Sequence, residues 1–300
     1  MPKATANGIA IAYDSFGPKA AEPILLISGL GVPMIRWTLP FCQALAGHGY
    51  QVIRFDNRDI GLSTHCDGAP VPEIAAVAAA VARGERPDVP YTLHDMAEDA
   101  VGLLDALGIE RAHAVGRSMG GMIAQVMASE HPHRVLSLTS IMSSTGNPDL
   151  AGATPEAMAA LTRPAPHPLE DQAGFLAHSL ALSRVIGSPG YPFDEAAQRV
   201  QALAELARAY NPAGFGRQIA AIAAAGDRRA RLSTITVPTL VVHGAADKLV
   251  PAAGGRDTAA NIRGAELKVI DGMGHDLPPE LHETIIQAIV GNARRARLPA

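Results

Sequence analysis

Six short apolar runs, separated by longer amphipathic stretches, constrain the fold of this chain more than any other feature. A run that is apolar at almost every position is typical of a strand buried on both faces, as in a parallel sheet covered by helices. A half-exposed strand would instead alternate apolar and polar residues. The runs are ILLIS (24–28), QVIRF (51–55), AHAVG (112–116), VLSLTSIM (135–142), TLVVHG (239–244) and ELKVI (266–270).

The segments between these runs have helical patterns. LHDMAEDAVGLLDALG (93–108) places its apolar residues on one helical stripe and ends at Gly108. MIAQVMASE (122–130) is stopped by a His-Pro pair. Strands that alternate with helices predict a parallel sheet with right-handed crossovers. GIAIAYDSFG (8–17) has only a short link to the next strand, and it therefore predicts an antiparallel edge.

The strand pattern is interrupted between residues 143 and 232. This segment is rich in Pro and Ala and includes the helical stretch DEAAQRVQALAELARAYN (194–211). Because the strand pattern resumes afterwards, we interpret the segment as an insertion and not as an independent domain. The predicted organisation is a first core part at 1–142, a helical cap insertion at 143–232 and a second core part at 233–300.

Composition limits the class of protein. The chain has 300 residues, 48% of them hydrophobic, and a formal net charge of −4, with no basic run in its body, which argues against a nucleic-acid partner. No apolar run approaches the roughly 20 residues that cross a bilayer, and the N-terminus lacks a signal-peptide pattern. The two cysteines form no CxxC or Cys/His metal spacing. We therefore expect a cytoplasmic protein without a membrane span or metal.

The stretch GRSMGG (116–121) lies between a predicted strand and a predicted helix. This is the context of a nucleophile elbow, in which a tight turn pushes the Ser118 side chain outward. Gly116 and Gly120 would allow the strand and the helix to approach closely, and the helix N-terminus supplies partial positive charge. The alternative is a glycine-rich turn that binds a phosphate or has no ligand.

A serine hydroxyl needs a base, and the base needs an acid to orient it. His275, in GMGHDLPP, follows the last predicted strand, and Asp247, in GAADKLVP, follows the strand before it. An ordinary surface-loop histidine and a turn aspartate are the alternatives. Asp276 is a poorer acid because it adjoins the histidine, and Asp149 is a fallback. Ser118, Asp247 and His275 occur in the chain order of the α/β-hydrolase triad. All three are predicted to lie at the carboxyl ends of strands, where ligands of open parallel sheets bind.

The loop SGLGVPMIRW (28–37) could provide oxyanion donors because its glycines allow backbone N–H groups to face the same site. We nominate the N–H groups of Leu30 and Met119 as the two donors. Trp37 is a candidate for lining the substrate pocket, with a core position as the alternative. Arg117 is a second candidate, either packed in the interior or in contact with an anionic substrate.

Together these segments resemble the α/β-hydrolase fold enzymes over nearly the whole chain. The matching pieces are LLISGLG, VIRFDNRDIGLST, VGRSMGG, LVVHGAADKLVP and GMGHDLP. They are most similar to the carboxylesterases and the aclacinomycin methylesterase-like group. The resemblance implies a mostly parallel eight-stranded sheet, flanked by helices, with a helical cap between strands six and seven. In the second piece Asp59 stands where many relatives have Gly, although NRD also occurs in the methylesterase-like group. We expect Asp56 and Arg58 to be a structural loop pair, with a catalytic role as the alternative.

The predicted function is that of a serine hydrolase acting on carboxylic esters of small apolar molecules through an acyl-enzyme, without a cofactor or metal. Aromatic residues make up only 4% of the chain, which favours an aliphatic pocket. The same three side chains would also serve C–C bond, lactone, amide or perhydrolysis chemistry. A noncatalytic small-molecule receptor is the alternative from another class. The sequence leaves the ester and the oligomeric state open.

Overall fold

The structure is a computed structural model that describes residues 1–297. Eight strands form one sheet in the order β1-β2-β4-β3-β5-β6-β7-β8, with β1 and β2 antiparallel to their neighbours and all other pairs parallel. The strands are β1 (Lys3–Ala6), β2 (Ile9–Phe16), β3 (Pro23–Ile27), β4 (Gln51–Phe55), β5 (Ala112–Arg117), β6 (Val135–Ile141), β7 (Thr239–Gly244) and β8 (Glu266–Ile270). The six predicted parallel strands and the antiparallel edge are all present, and only the short β1 was not predicted.

Eleven α-helices are found in the described part of the chain. They are α1 (Leu39–Ala46), α2 (Ile74–Ala82), α3 (Leu93–Ala106), α4 (Met119–Glu130), α5 (Pro155–Thr162), α6 (Gln172–Ile186), α7 (Glu195–Arg208), α8 (Pro212–Ala225), α9 (Arg229–Leu232), α10 (Ala252–Asn261) and α11 (His282–Arg295). Helices α5 to α9 lie between β6 and β7 without an intervening strand, which confirms a helical cap at this point of the fold. The division at residues 142 and 232 stays a prediction, and residues 298–300 of the predicted second core part lie outside the described residues. No helix in the described residues combines the length and apolarity needed to span a membrane.

Both faces of the sheet are covered, which explains the continuous apolar runs. In β3, Leu25 and Ile27 pack into one core with α3 and α4, while Ile24 and Leu26 pack into a second core with α1 and α11. All four of these side chains are 0% exposed. Because successive residues of a strand point to opposite faces, a strand between two helical layers is apolar at most positions on both faces.

Helix α3 supports the helix that follows the candidate nucleophile. It begins at a capping box in which the Thr92 hydroxyl accepts from the Asp95 N–H and the Asp95 carboxylate accepts from the Thr92 N–H. The last helical residue is Ala106, and Gly108 closes the helix as predicted, in the left-handed conformation (φ +68°) that follows a helix terminus. Leu103 and Leu104 are fully buried, each stabilising the fold by about 1.5–3 kcal/mol. Helix α3 packs along α4 and thereby holds α4 against the sheet.

Candidate active site

Ser118 lies in a tight turn between β5 and α4 with φ +54° and ψ −125°, a conformation that costs a non-glycine residue about 1–3 kcal/mol. The turn is held by a hydrogen bond from the Ser118 N–H to the Ile141 carbonyl (2.9 Å). A Cβ on Gly116 would lie 2.0 Å from the Gly120 carbonyl oxygen, and one on Gly120 would lie 2.2 Å from the Ile27 carbonyl oxygen. Both positions therefore require glycine, and the turn projects the serine hydroxyl at the carboxyl end of β5.

The three side chains that the sequence singles out are in contact. His275 Nε2 lies 3.0 Å from Ser118 Oγ, and His275 Nδ1 lies 2.7 Å from Asp247 Oδ2. Both contacts are satisfied when the imidazole carries its proton on Nδ1, so that Nε2 accepts from the serine hydroxyl. The histidine is 7% exposed and the aspartate 6%. A hydroxyl, a ring nitrogen and a carboxylate in this sequence form an arrangement that can activate a serine.

The Asp247 carboxylate is fixed by its own loop. Its Oδ1 accepts the N–H groups of Leu249 (2.9 Å) and Val250 (2.8 Å), which leaves Oδ2 for the candidate base. The buried His243 donates from Nε2 to the Val250 carbonyl (2.7 Å), and burial lowers the pKa of this histidine.

The fallback acid, Asp149, has a side chain that is 79% exposed and takes no part in the site.

The loop that carries His275 is held by the turn after α6 in the cap. The His275 N–H donates to the Ile186 carbonyl (2.7 Å), and the Gly274 N–H donates to Ser188 Oγ (2.9 Å). The Ser188 hydroxyl in turn donates to the Asp276 carboxylate. Burial raises the pKa of Asp276, against the opposing effect of the serine hydrogen bond. Asp276 therefore anchors the loop and does not orient the imidazole ring.

The loop after β3 lies directly against the candidate nucleophile. A Cβ on Gly29 would be 3.2 Å from Ser118 Cβ, so the Leu30 amide follows a residue in close contact with the serine. Met119 is the first residue of α4, and its N–H has no acceptor within the helix. Gly31 has φ +69°, which allows the loop to turn away immediately after Leu30. Both nominated oxyanion donors thus belong to backbone next to the serine.

The two nominated pocket side chains have interior positions. Trp37 is 1% exposed, and its ring lies 5.3 Å from that of Phe41 between centroids, which places it in the core. Arg117 is 8% exposed, with its guanidinium 5.8 Å from the centre of the Trp37 ring and one N–H directed at the Arg36 carbonyl (3.5 Å). Burial, together with the charge of Arg36, lowers the pKa of Arg117 to about 10. These contacts agree with the packing alternative for Arg117.

Asp56 and Arg58 do not contact each other as an ion pair, but each has a structural partner in another part of the fold. Asp56 Oδ2 lies 2.6 Å from the Arg208 guanidinium at the end of cap helix α7. Arg58 donates through two nitrogens, at 2.6 Å each, to Asp99 in α3. The two charged residues therefore tie their loop to two different helices.

Asp59 forms a second buried ion pair with the cap. Arg217 in α8 donates to both carboxylate oxygens at 2.8 Å, and the Cys66 N–H and the Tyr91 hydroxyl each add a hydrogen bond of 2.7 Å. Burial acts to raise the pKa of Asp59, but these hydrogen bonds outweigh it and the pKa is lowered. Sequence reasoning missed the cap partner because Arg217 is 158 residues away along the chain.

Comparison with known proteins gives a consistent result. Residues 22–280 match the family model described as the alpha/beta hydrolase fold. The chain is 29% identical to rhodomycin D methylesterase DnrP of Streptomyces peucetius, over 97% of each chain. It is 32% identical to a putative carbamate hydrolase, RutD, of Variovorax paradoxus, over 88% of each chain. The crystal structure of the enol-lactonase from Burkholderia xenovorans LB400 is similar with a TM-score of 0.68 and 26% identity, covering 98% of this chain and 100% of the lactonase.

The fold, the position of the serine turn and the family match agree with one another. In residues 1–297 no group of three or more His, Cys, Asp or Glu side chains is arranged to hold a metal ion. The sheet order, the cap between β6 and β7 and the match to the family model over most of the sequence have one explanation. The chain belongs to the α/β hydrolase family.

Proposed function

We propose that this hydrolase cleaves carboxylic esters of small apolar molecules through an acyl-enzyme on Ser118. The observation that carries the proposal is the chain of contacts from Ser118 Oγ through His275 to Asp247, at 3.0 and 2.7 Å. A general base at hydrogen-bond distance is what converts a weakly nucleophilic hydroxyl into a reactive one. The similarity to a methylesterase supports an ester as the substrate.

In the acylation step, His275 Nε2 accepts the hydroxyl proton while Ser118 Oγ attacks the ester carbonyl carbon. The carbonyl electron pair moves onto oxygen, where the N–H groups of Leu30 and Met119 stabilise the negative charge. The tetrahedral intermediate then collapses, and the alcohol leaves with the proton from the imidazolium. Asp247 stabilises that imidazolium and keeps the ring in the required tautomer.

In the deacylation step, water takes the place of the alcohol. His275 Nε2 accepts a proton from the water, whose oxygen attacks the acyl carbon. Collapse of the second tetrahedral intermediate breaks the bond to Ser118 Oγ, and the imidazolium returns a proton to that oxygen. The carboxylic acid leaves, and the enzyme returns to its starting state. Every proton passes through one imidazole, so the reaction needs no other titrating group.

A lactone is the second candidate substrate, supported by the similarity to an enol-lactonase structure at 26% identity. The chemistry is the same, except that the acid and the alcohol remain in one product. The attack and both oxyanions use the same groups, and the difference depends on whether the pocket accepts a ring. A short series of lactones assayed beside linear esters would distinguish the two.

The test is hydrolysis of p-nitrophenyl esters from acetate to decanoate by the wild-type protein and by Ser118→Ala. We expect kcat to fall by roughly 10⁶-fold in the variant, as when the nucleophile of a serine hydrolase is removed. Ser129→Ala is the matched control, since this serine in α4 donates only to the Val126 carbonyl of its own helix. Equal rates for wild type and Ser118→Ala would refute the proposal.

A further inference from the structure

We infer that Gln218, in cap helix α8, is a positioning residue that orients the oxyanion loop; this inference rests on the proposed function. The Gln218 side chain is 0% exposed. Its Oε1 accepts the Gly31 N–H at 2.9 Å, and its Nε2 donates to the Arg58 carbonyl at 2.9 Å. One amide from the cap thus joins the loop after β3 to the loop after β4.

Only a glutamine satisfies both partners. The two backbone groups require an acceptor and a donor at the end of one side chain, which the glutamine amide supplies. Glutamate at 218 would keep the acceptor for Gly31 but would place a second acceptor against the Arg58 carbonyl. Leucine would leave both backbone groups unpaired, at about 1–3 kcal/mol for each buried group.

The hydrogen bond to Gly31 controls the peptide that adjoins the nominated donor. Leu30 lies between Gly29 and Gly31, so the loop has little conformational stiffness of its own. Fixing the Leu30–Gly31 peptide limits rotation at Leu30 and therefore holds the Leu30 N–H in place. An oxyanion donor acts only when it is already oriented at about 2.7–3.1 Å from the developing charge.

Helix α8 is itself rigidly held over this loop. Phe215 is on the same helix face as Gln218, three residues earlier, and a Cβ on Gly31 would lie 2.4 Å from its ring. Arg217, the neighbour of Gln218, is fixed by its two hydrogen bonds to Asp59. The packed Phe215 ring and the buried ion pair of Arg217 fix the rotation of α8. They therefore also fix the position of the Gln218 amide next to the loop.

The experiment compares Gln218→Leu with Gln125→Leu on the p-nitrophenyl ester that the wild type cleaves best. Gln125 is equally buried, but its Nε2 donates to Ser140 Oγ (3.1 Å), its Oε1 accepts from the Arg228 guanidinium (3.5 Å), and neither hydrogen bond is to the oxyanion loop. We expect Gln218→Leu to lower kcat by about 10- to 100-fold with KM within about threefold, since a displacement near 1 Å can cost about 10²-fold. Gln125→Leu, assayed well below its melting temperature, should retain kcat within about threefold.

Two further readouts separate positioning from loss of stability. Gln218→Glu, which preserves side-chain volume, should also lose kcat. Affinity for a trifluoromethyl ketone, whose tetrahedral adduct carries an oxyanion, should fall more than affinity for the matching unfluorinated ketone. Equal kcat values for Gln218→Leu and Gln125→Leu, or a change confined to KM, would overturn the inference while leaving the ester hydrolase intact. A wild type as inactive as Ser118→Ala would instead refute the proposed function and this inference together.

Discussion

Replacing Arg217 with Met tests whether the cap is fastened to the core through Asp59. The substitution keeps much of the aliphatic volume but removes the two hydrogen bonds of 2.8 Å to the Asp59 carboxylate. It also removes the hydrogen bond of 3.0 Å to the Ala69 carbonyl. Asp59 itself is 0% exposed, so water does not replace the lost guanidinium without a rearrangement.

The expected magnitude follows from what remains around Asp59. Removing one partner of a buried ion pair typically costs about 3–5 kcal/mol. The Cys66 N–H and the Tyr91 hydroxyl still donate to the carboxylate, which places this pair near the lower limit. The unpaired Ala69 carbonyl adds about 1 kcal/mol. We therefore expect Arg217→Met to lower the free energy of unfolding by about 3–4 kcal/mol at pH 7.

Urea denaturation of the wild type, Arg217→Met, Asp59→Asn and the double variant measures the coupling between the two side chains. Asparagine is chosen because it tolerates the φ of +69° at position 59. We expect the double variant to lose less stability than Arg217→Met alone, because it contains no unpaired buried charge. The pKa of Asp59 is lowered in the folded protein, so the pair stabilises above about pH 4 and its contribution is lost as the pH falls below that value. If the stability changes of the two single variants were additive, or if Arg217→Met lost less than about 1 kcal/mol of stability, the Arg217–Asp59 ion pair would not hold the cap on the core.

Four further outcomes are expected. Asp247→Asn should lower kcat for p-nitrophenyl esters by about 10⁴-fold with an unchanged fold, measured by steady-state kinetics beside circular dichroism. Burial lowers the pKa of His113, so on acidification through about pH 6.5 the unfolded state takes up this proton before the folded state does. Urea titrations should therefore show that the free energy of unfolding falls less between pH 7 and pH 5.5 in His113→Gln than in the wild type. In thermal melts, Gly120→Ala should lower the stability of the fold by about 3 kcal/mol or more, because the new Cβ would clash with backbone atoms. Gly291→Ala in α11 should raise the stability by about 0.5–1 kcal/mol, because no atom lies within 4 Å of the new Cβ. Ser118→Gly should be inactive yet about 1–2 kcal/mol more stable to urea.

The parts of the site that could be predicted depend on local signals. The glycines around Ser118 are required by contacts within one strand–turn–helix unit, so a short motif identifies them. Asp247 and His275 could be found because parallel strands end at a common edge, and the chain order places both residues just after strands. Neither inference needs the details of side-chain packing.

The contacts between cap and core could not be predicted, because they join residues that are far apart in sequence. Asp56 and Asp59 are paired with arginines 152 and 158 residues away, and the sequence around each aspartate does not identify its partner. One signal was present: Arg217 and Gln218 are two adjacent polar residues in the otherwise apolar α8 sequence PAGFGRQIAAIAAA. Polar side chains on the buried side of a helix usually have a specific partner.

The short β1 was missed because KATA has no apolar run.

At the strained turn of Ser118, the proposed catalytic role of the serine and the stability of the fold favour different residues. A glycine at this position would adopt φ +54° without penalty and would remove the reactive hydroxyl at the same time. Selection for stability alone would therefore replace Ser118 with glycine, and the resulting protein would be more stable but would lack the proposed activity. A laboratory lineage evolved only for heat resistance should lose the proposed esterase activity by substitution of Ser118, whereas a lineage screened for turnover should accumulate its stabilising changes elsewhere.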